Sequence, residues 1–131
     1  MLKTKIYIAG KITGDPNYKD KFANMESELL KMPGTVIINP AKLPQGLTPA
    51  DYTRICFAMI DSSDIVVFAP DYKESSGALL EMQYCRYIKK AWTAFEEYIM
   101  QRQIEIILKY LRTGGELNDS NMSKMRTGSD E

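Results

Sequence analysis

The stretch Ser75-Ser76-Gly77-Ala78-Leu79-Leu80-Glu81 combines residue types that can hold a small ligand and act on it. Ser75 and Ser76 are candidate helix N-caps, and Gly77 lets a ligand or another chain approach the backbone closely. Glu81 falls about one turn inside the helix that such a cap would open. It heads an apolar stripe continued at helical spacing by Cys85, Ile88, Trp92, Phe95 and Ile99. A carboxylate on an apolar stripe has two accounts. It is either a solvated first-turn acid favoured by the helix dipole, or a group held in a cleft or an ion pair with perturbed chemistry. Taken alone, this stretch favours the first.

Composition narrows the chemistry. The chain has 131 residues, enough for one domain with a sizeable core, and 17 basic residues balance 17 acidic ones. A net charge of zero implies no basic face, so a nucleic-acid partner is not expected. No apolar run approaches the ~20 residues of a membrane helix, and no leader pattern follows Met1, so a cytoplasmic protein with no membrane partner is expected. Histidine is absent, which removes Ser-His-Asp and Cys-His catalysis and most zinc sites. Cys56 and Cys85 occupy apolar helical positions and read as small core residues. Any catalysis must rest on carboxylates, tyrosines, hydroxyls and backbone amides.

The elements that would position these groups alternate. Lys5 to Ala9 reads as a strand containing Tyr7, followed by the loop Gly10-Lys11-Ile12-Thr13-Gly14. Asp15-Pro16 has the form of an N-cap with a first-turn proline, opening a helix with Tyr18, Phe22, Met25 and Leu29 on one face. Strand, glycine loop and helix can present backbone N–H groups to an anion, although a plain tight turn explains the loop equally well. Pro33-Gly34 ends the helix, Thr35 to Ile38 reads as a second strand, and Asn39-Pro40 closes it. Thr48-Pro49-Ala50-Asp51 has the form of a capping box for a helix carrying Tyr52, Ile55, Cys56, Met59 and Ile60. Asp61 to Asp64 leads into a third strand, Ile65 to Phe68. Strands alternating with helices predict an α/β domain with a parallel sheet of at least three strands.

In such sheets ligands collect at the carboxyl ends of the strands. Gly10–Gly14, Asn39-Pro40 and Ser75–Glu81 would converge there, and this convergence favours a functional Glu81. Capping is the preferred account of Asn39 and Asp64, and Asp61 reads as a satisfied structural acid. From Ser76 to about Arg112 no helix breaker occurs, a span of ~55 Å if continuous. A helix that long breaks or packs on another subunit, so a long C-terminal helix forming a homo-oligomer (dimer or higher) is expected, with Trp92 as a packing anchor on it. No strand is evident after Leu80, Ile104 to Leu108 being the only candidate. Residues 1–113 thus read as one domain and 114–131 as a polar, disordered tail.

Several of these segments together resemble a known family. Tyr7 to Gly14, Ile38-Asn39-Pro40-Ala41, Ile55 to Asp61, and Ser76-Gly77-Ala78 with Glu81 resemble a family of small phage and bacterial proteins of unassigned function. That family is grouped with the nucleoside 2-deoxyribosyltransferase-like fold. The likeness runs from about Tyr7 to Cys85 and implies a three-layer flavodoxin-like domain. It implies Glu81 as nucleophile with Tyr7 beside it, acting on the N-glycosidic bond of a nucleoside or nucleotide through a covalent glycosyl intermediate. Gly10, Lys11, Ile12, Gly14, Asn39, Ser75, Ser76 and Gly77 would then line the substrate site. That chemistry requires no metal or cofactor, the phenol would orient the carboxylate, and the helix N-terminus would help keep it ionised.

The likeness has departures. The related transferases carry aspartates where this chain has Ser75 and Cys56, and they return to a fourth and fifth strand after the glutamate helix. The related deoxynucleoside 5′-monophosphate N-glycosidases carry a serine at the position of Ser75, where it contacts phosphate. A hydroxyl suits phosphate and a carboxylate repels it, so Ser75 shifts the expected substrate towards a 5′-monophosphate. Two other expectations follow in order: a binding module that holds or sequesters a nucleotide without reacting with it, and a structural oligomer built on the long helix with the pocket vestigial.

Overall fold

A computed structural model describes residues 2–115. Its sheet is built from four short apolar strands: β1 (Thr4–Ala9), β2 (Thr35–Ile38), β3 (Ile65–Phe68) and β4 (Trp92–Ala94). Helices α1 (Tyr18–Leu30), α2 (Pro49–Asp61) and α3 (Ser76–Ile88) connect them, and α4 (Phe95–Arg112) follows the last. The strands lie in the order β2-β1-β3-β4, and every pairing is parallel.

β1 and β3 are central, so both faces of each must be covered, which explains why neither strand alternates polar and apolar residues. Ile6, Ile8 and Val67 face α1 and α4, where Phe22, Met25, Leu29 and Tyr98 complete one core layer. Tyr7, Val66 and Phe68 face α2 and α3, packing with Ile60, Met82 and Cys85. The result is the expected three-layer flavodoxin-like α/β domain. Phe22, Leu29 and Ile60 are fully buried. Each such side chain stabilises the fold by about 1.5–3 kcal/mol relative to exposure.

Helix starts show where local signals prevailed. At α2 the capping box forms as the sequence predicts: Asp51 N–H donates to Thr48 Oγ1 at 3.1 Å, and Thr48 N–H to Asp51 Oδ2 at 3.1 Å. At α1 the expected start at Asp15-Pro16 is corrected. The regular helix begins at Tyr18, and Asn17 precedes it without a side-chain cap bond, while the Asp15 carboxylate closes the turn before it by accepting from Asn17 N–H at 2.9 Å and also accepts from Lys21 Nζ at 2.7 Å.

The expected unbroken helix from Ser76 to Arg112 is also corrected. It ends at Ile88, where Lys89 turns left-handed (φ 59°, ψ 38°). Lys89 N–H then donates to Arg86 O at 3.3 Å and Lys90 N–H to Cys85 O at 2.9 Å, the two bonds of a Schellman ending. Lys90 Nζ reaches Ser63 O at 2.5 Å, which ties the turn to the start of β3. The chain is thereby aimed along β3, and Val66–Phe68 pair in register with Trp92–Ala94. Trp92 therefore stands on a strand, edge-on to Phe68 with ring centroids 5.9 Å apart, and Ile104 to Leu108 is helical. The C-terminal helix is α4, ended by a second Schellman pair in which Gly114 takes the positive φ (78°). Of the expected tail, residues 116–131 lie outside the described residues.

Holding a lysine left-handed costs about 1 kcal/mol that glycine does not. Lys89→Gly is expected to raise stability by about that amount in urea unfolding, while Lys89→Ala leaves it unchanged within a few tenths of a kcal/mol.

Candidate active site

Tyr7 lies on β1 between Ile38 of β2 and Val66 of β3, at the point where the chain winds first to one side of the sheet and then to the other. This is the position at which open parallel sheets form their crevices. Its ring is fully buried, and its phenol donates a hydrogen bond to Glu81 Oε2. Glu81 comes from the second turn of α3, whose start is fixed by Ala78 N–H donating to Ser75 Oγ at 3.1 Å. Ala78, Met82 and Cys85 point that face of α3 into the core, so Glu81 is carried inward with them and remains half-buried. The solvated account of Glu81 does not hold.

Cys56, read from its spacing as core and from the likeness as standing where the transferases carry an acid, lies beside this pair. It is half-buried on α2 and packed against the layer that contains Tyr7, close enough for phenol and thiol each to influence the other's ionisation. Its position beneath the tyrosine depends on α2 crossing β1, which no local spacing encodes.

Burial sets the electrostatics. It pushes the Glu81 carboxyl up to about 7, against the opposing pull of the Tyr7 hydrogen bond. The expected ionising influence of the helix N-terminus is therefore outweighed by desolvation. Tyr7 is held well above its ordinary value by burial, then by the charge of Glu81 and the adjacent Cys56, so its phenol remains a proton donor. The Cys56 thiol is likewise raised by burial and by Glu81, with the neighbouring Tyr7 phenol opposing. Of the three, Glu81 alone changes charge near neutrality. It can act there as a nucleophile, a base or an acid.

The remaining residues singled out by sequence divide. Ser75 caps α3 with its oxygen and keeps a hydroxyl hydrogen to donate; Ser76 and Gly77 are exposed beside it. A Cβ on Gly77 would meet only Ser75 Oγ, at 3.8 Å, so open space lies over the helix start. The Gly10–Gly14 loop is already engaged. Lys11 N–H donates to Asp71 Oδ1 at 3.1 Å, and Lys21 Nζ binds Lys11 O at 2.6 Å, Asp15 Oδ2 at 2.7 Å and Asp71 Oδ2 at 2.5 Å. Burial opposes the Lys21 charge, but these two carboxylates outweigh it and hold the ammonium above its usual range.

Gly10 has a packing reason. A Cβ there would lie 2.8 Å from Ala69 Cβ, so glycine lets the ends of β1 and β3 close on each other. Gly14 supplies a positive φ of 83°. Ile12 packs on the α1–α4 side, in the layer opposite Glu81. Asn39 is buried and caps the turn that follows it, accepting from Ala41 N–H at 2.9 Å. Asp64 Oδ2 accepts from Lys5 N–H of β1 at 2.8 Å instead of capping the helix end as expected, and Asp61 accepts from Tyr84 OH at 2.7 Å, so both are engaged in structural bonds. Asp71 and Lys21 were not legible as a pair, being 50 residues apart.

Two surface grooves lie elsewhere. One of about 670 Å³ runs between α1 and the start of α4, beside Lys21, Met25 and Phe95. It is wide and open and holds neither Tyr7 nor Glu81, whereas the tyrosine–glutamate contact is where a titratable group has been taken out of water.

The pH dependence of stability follows from Glu81. Folded, it keeps its proton up to about 7; unfolded, it loses it near the usual glutamate value. Between the two the folded chain binds more protons, so this contribution is complete at low pH and is lost as pH rises through 7. Glu81→Gln removes the effect. From pH 5 to pH 8 the wild type is expected to lose on the order of 2 kcal/mol relative to Glu81→Gln in urea unfolding. Parallel pH profiles would contradict a desolvated Glu81.

Among curated proteins and among solved structures, no match to the chain was found. A family model described as a domain of unknown function (DUF4406) matches residues 4–93, from the start of β1 into β4 and therefore including Tyr7, Cys56 and Glu81. The chain belongs to this family of unassigned function.

Proposed function

We propose that the protein cleaves or transfers the N-glycosidic bond of a deoxynucleoside or its 5′-monophosphate, with Glu81 as the nucleophile. The observation that carries this reading is the contact between the Tyr7 phenol and a desolvated Glu81 beside the sheet's switch point. A carboxylate freed of water is a better nucleophile, and a phenol that stays protonated can hold one oxygen while the other attacks. Ionised Glu81 would form a bond to the anomeric carbon as the carbon–nitrogen bond breaks and its electron pair leaves with the base. Water or a second base would then attack the same carbon, release Glu81 and restore the original configuration.

Two further points support a nucleotide substrate. The residues from Tyr7 to Cys85 resemble the nucleoside 2-deoxyribosyltransferase-like proteins, and Ser75 matches the phosphate-contacting serine of the monophosphate N-glycosidases among them. Its donor hydroxyl stands at a helix start with open space above it. The Lys11 amide is taken by Asp71, which leaves the start of α3 as the better phosphate contact.

Cys56 favours a second reading. Where the transferases carry an acid, this chain has a thiol held neutral by burial, which cannot serve the base as a carboxylate does. A nucleotide-holding module without turnover fits that substitution.

Chromatographic detection of free base separates the readings. The wild type is expected to release base from one of the four deoxynucleosides or their 5′-monophosphates, and Glu81→Ala to lose more than about 1000-fold in rate. The rate is expected to rise with pH through about 7 as Glu81 ionises, and Tyr7→Phe to move that limb to higher pH because the phenol favours the charged carboxylate. No release by wild type, with a nucleotide-dependent rise in melting temperature, would establish the binding module instead.

A further inference from the structure

The last helix leaves an apolar face without cover among the described residues. The first turns of α4 pack on the sheet through Phe95, Tyr98 and Ile99. Beyond them Met100, Ile104, Leu108 and Leu111 are 60%, 47%, 52% and 53% exposed. Their spacing of four, four and three residues keeps them on one stripe, as in the seam of a helix pair. Beside Met100 a groove of about 290 Å³ opens between α1 and α4, lined by Glu28, Phe95, Ile99 and Gln103 among others. The matched family region ends at residue 93, so this helix lies beyond it.

Charge along α4 selects the occupant. Its first turn is acidic, with Glu96 and Glu97, and its last is basic, with Lys109 and Arg112. None of these four enters an ion pair among the described residues, whereas Arg102 and Glu105, at mid-helix, pair with each other at 2.8 Å. At about 100° per residue, Glu97 heads the apolar stripe and Arg112 borders its other end, both displaced to the same side of Ile104. A helix that is acidic at one end and basic at the other, with an apolar seam between, is complementary to itself when reversed. A parallel copy would set acid against acid.

We infer that α4 pairs antiparallel with α4 of a second copy of this chain, Ile104 lying near the two-fold axis. Leu108 of each copy then meets Met100 of the other, Leu111 approaches the groove beside Met100, and Glu97 faces Arg112 at both ends. The pairing is isologous, so it closes as a dimer. It lies on the α1–α4 side of the sheet, away from Tyr7 and Glu81, and does not depend on the activity proposed for them.

Sedimentation velocity or light scattering on the full 131-residue chain at micromolar concentration tests the inference. The wild type is expected at twice the chain mass, and Ile104→Glu, which sets two acids together at the axis, at the mass of one chain. Ile104 is 47% exposed, so circular dichroism should show that the variant remains folded. Glu97→Arg and Arg112→Glu are each expected to weaken association several-fold to about tenfold, and the double variant Glu97→Arg/Arg112→Glu to restore it. A monomeric wild type, a dimer indifferent to Ile104→Glu, or a double variant no better than the singles would overturn the antiparallel pairing.

Discussion

The structure is organised around one unfavourable placement: a carboxylate on the core-facing side of a helix. Glu81 shares its face of α3 with Ala78, Met82 and Cys85, and that face must lie on the sheet if α3 is to be buried at all. Desolvation would force a lone glutamate to stay protonated or to draw water in. The Tyr7 phenol gives it a single donor that is itself too deeply buried to ionise. The contact requires that β1 keep its register with β2 and β3, because a slip of one residue would turn Tyr7 to the α1 side. It also requires that Ser75 fix the first turn of α3, since one residue of helix shift would rotate Glu81 away by about 100°.

A second set of contacts holds the strand ends together. Lys21 binds the carboxylates of Asp15 and Asp71 and the Lys11 carbonyl, while the close approach of Gly10 to Ala69 joins the ends of β1 and β3. This arrangement gives the glycine loop a different use from the one its sequence suggests. Its Lys11 amide is aimed at a carboxylate of the protein itself, neutralised by a lysine of α1, and the loop acts as a brace. Any phosphate recognition then falls to the start of α3, the other strand end at which a hydroxyl and a helix N-terminus coincide.

Most of the fold was legible because it rests on local signals. The apolar runs of β1 and β3, the Thr48 capping box and the Gly114 helix end each carry their own signature within a few residues. The break at Lys89 does not. The two Schellman endings have the same bonding, yet one uses glycine and the other lysine, and only the glycine is visible in a sequence. At Lys89 tertiary structure overrides propensity: Lys90 anchored on Ser63, and Trp92 to Ala94 paired with β3, hold the lysine in a conformation it does not prefer. In the site, Tyr7 and Glu81 were recoverable through motif likeness and strand-end convergence. Cys56 was marked only by the likeness, as a place where the transferases carry an acid, since a cysteine on an apolar helix face gives by itself no sign of which side chain from a distant strand will lie beside it. The Asp71–Lys21 pair was hidden for the same reason.

The central claim is that the fold holds Glu81 as a carboxyl poised near neutrality by burial, with Tyr7 as its donor. The most direct measurement is a pH titration of the glutamate side-chain carboxyl signals by carbon-13 NMR, with Glu81 assigned by its loss in Glu81→Gln. The account predicts that this one signal titrates near 7, apart from the solvent-exposed glutamates. Titration at the ordinary glutamate value of about 4.3 would mean that water reaches the carboxylate freely, and would contradict both the desolvated site and the chemistry built on it.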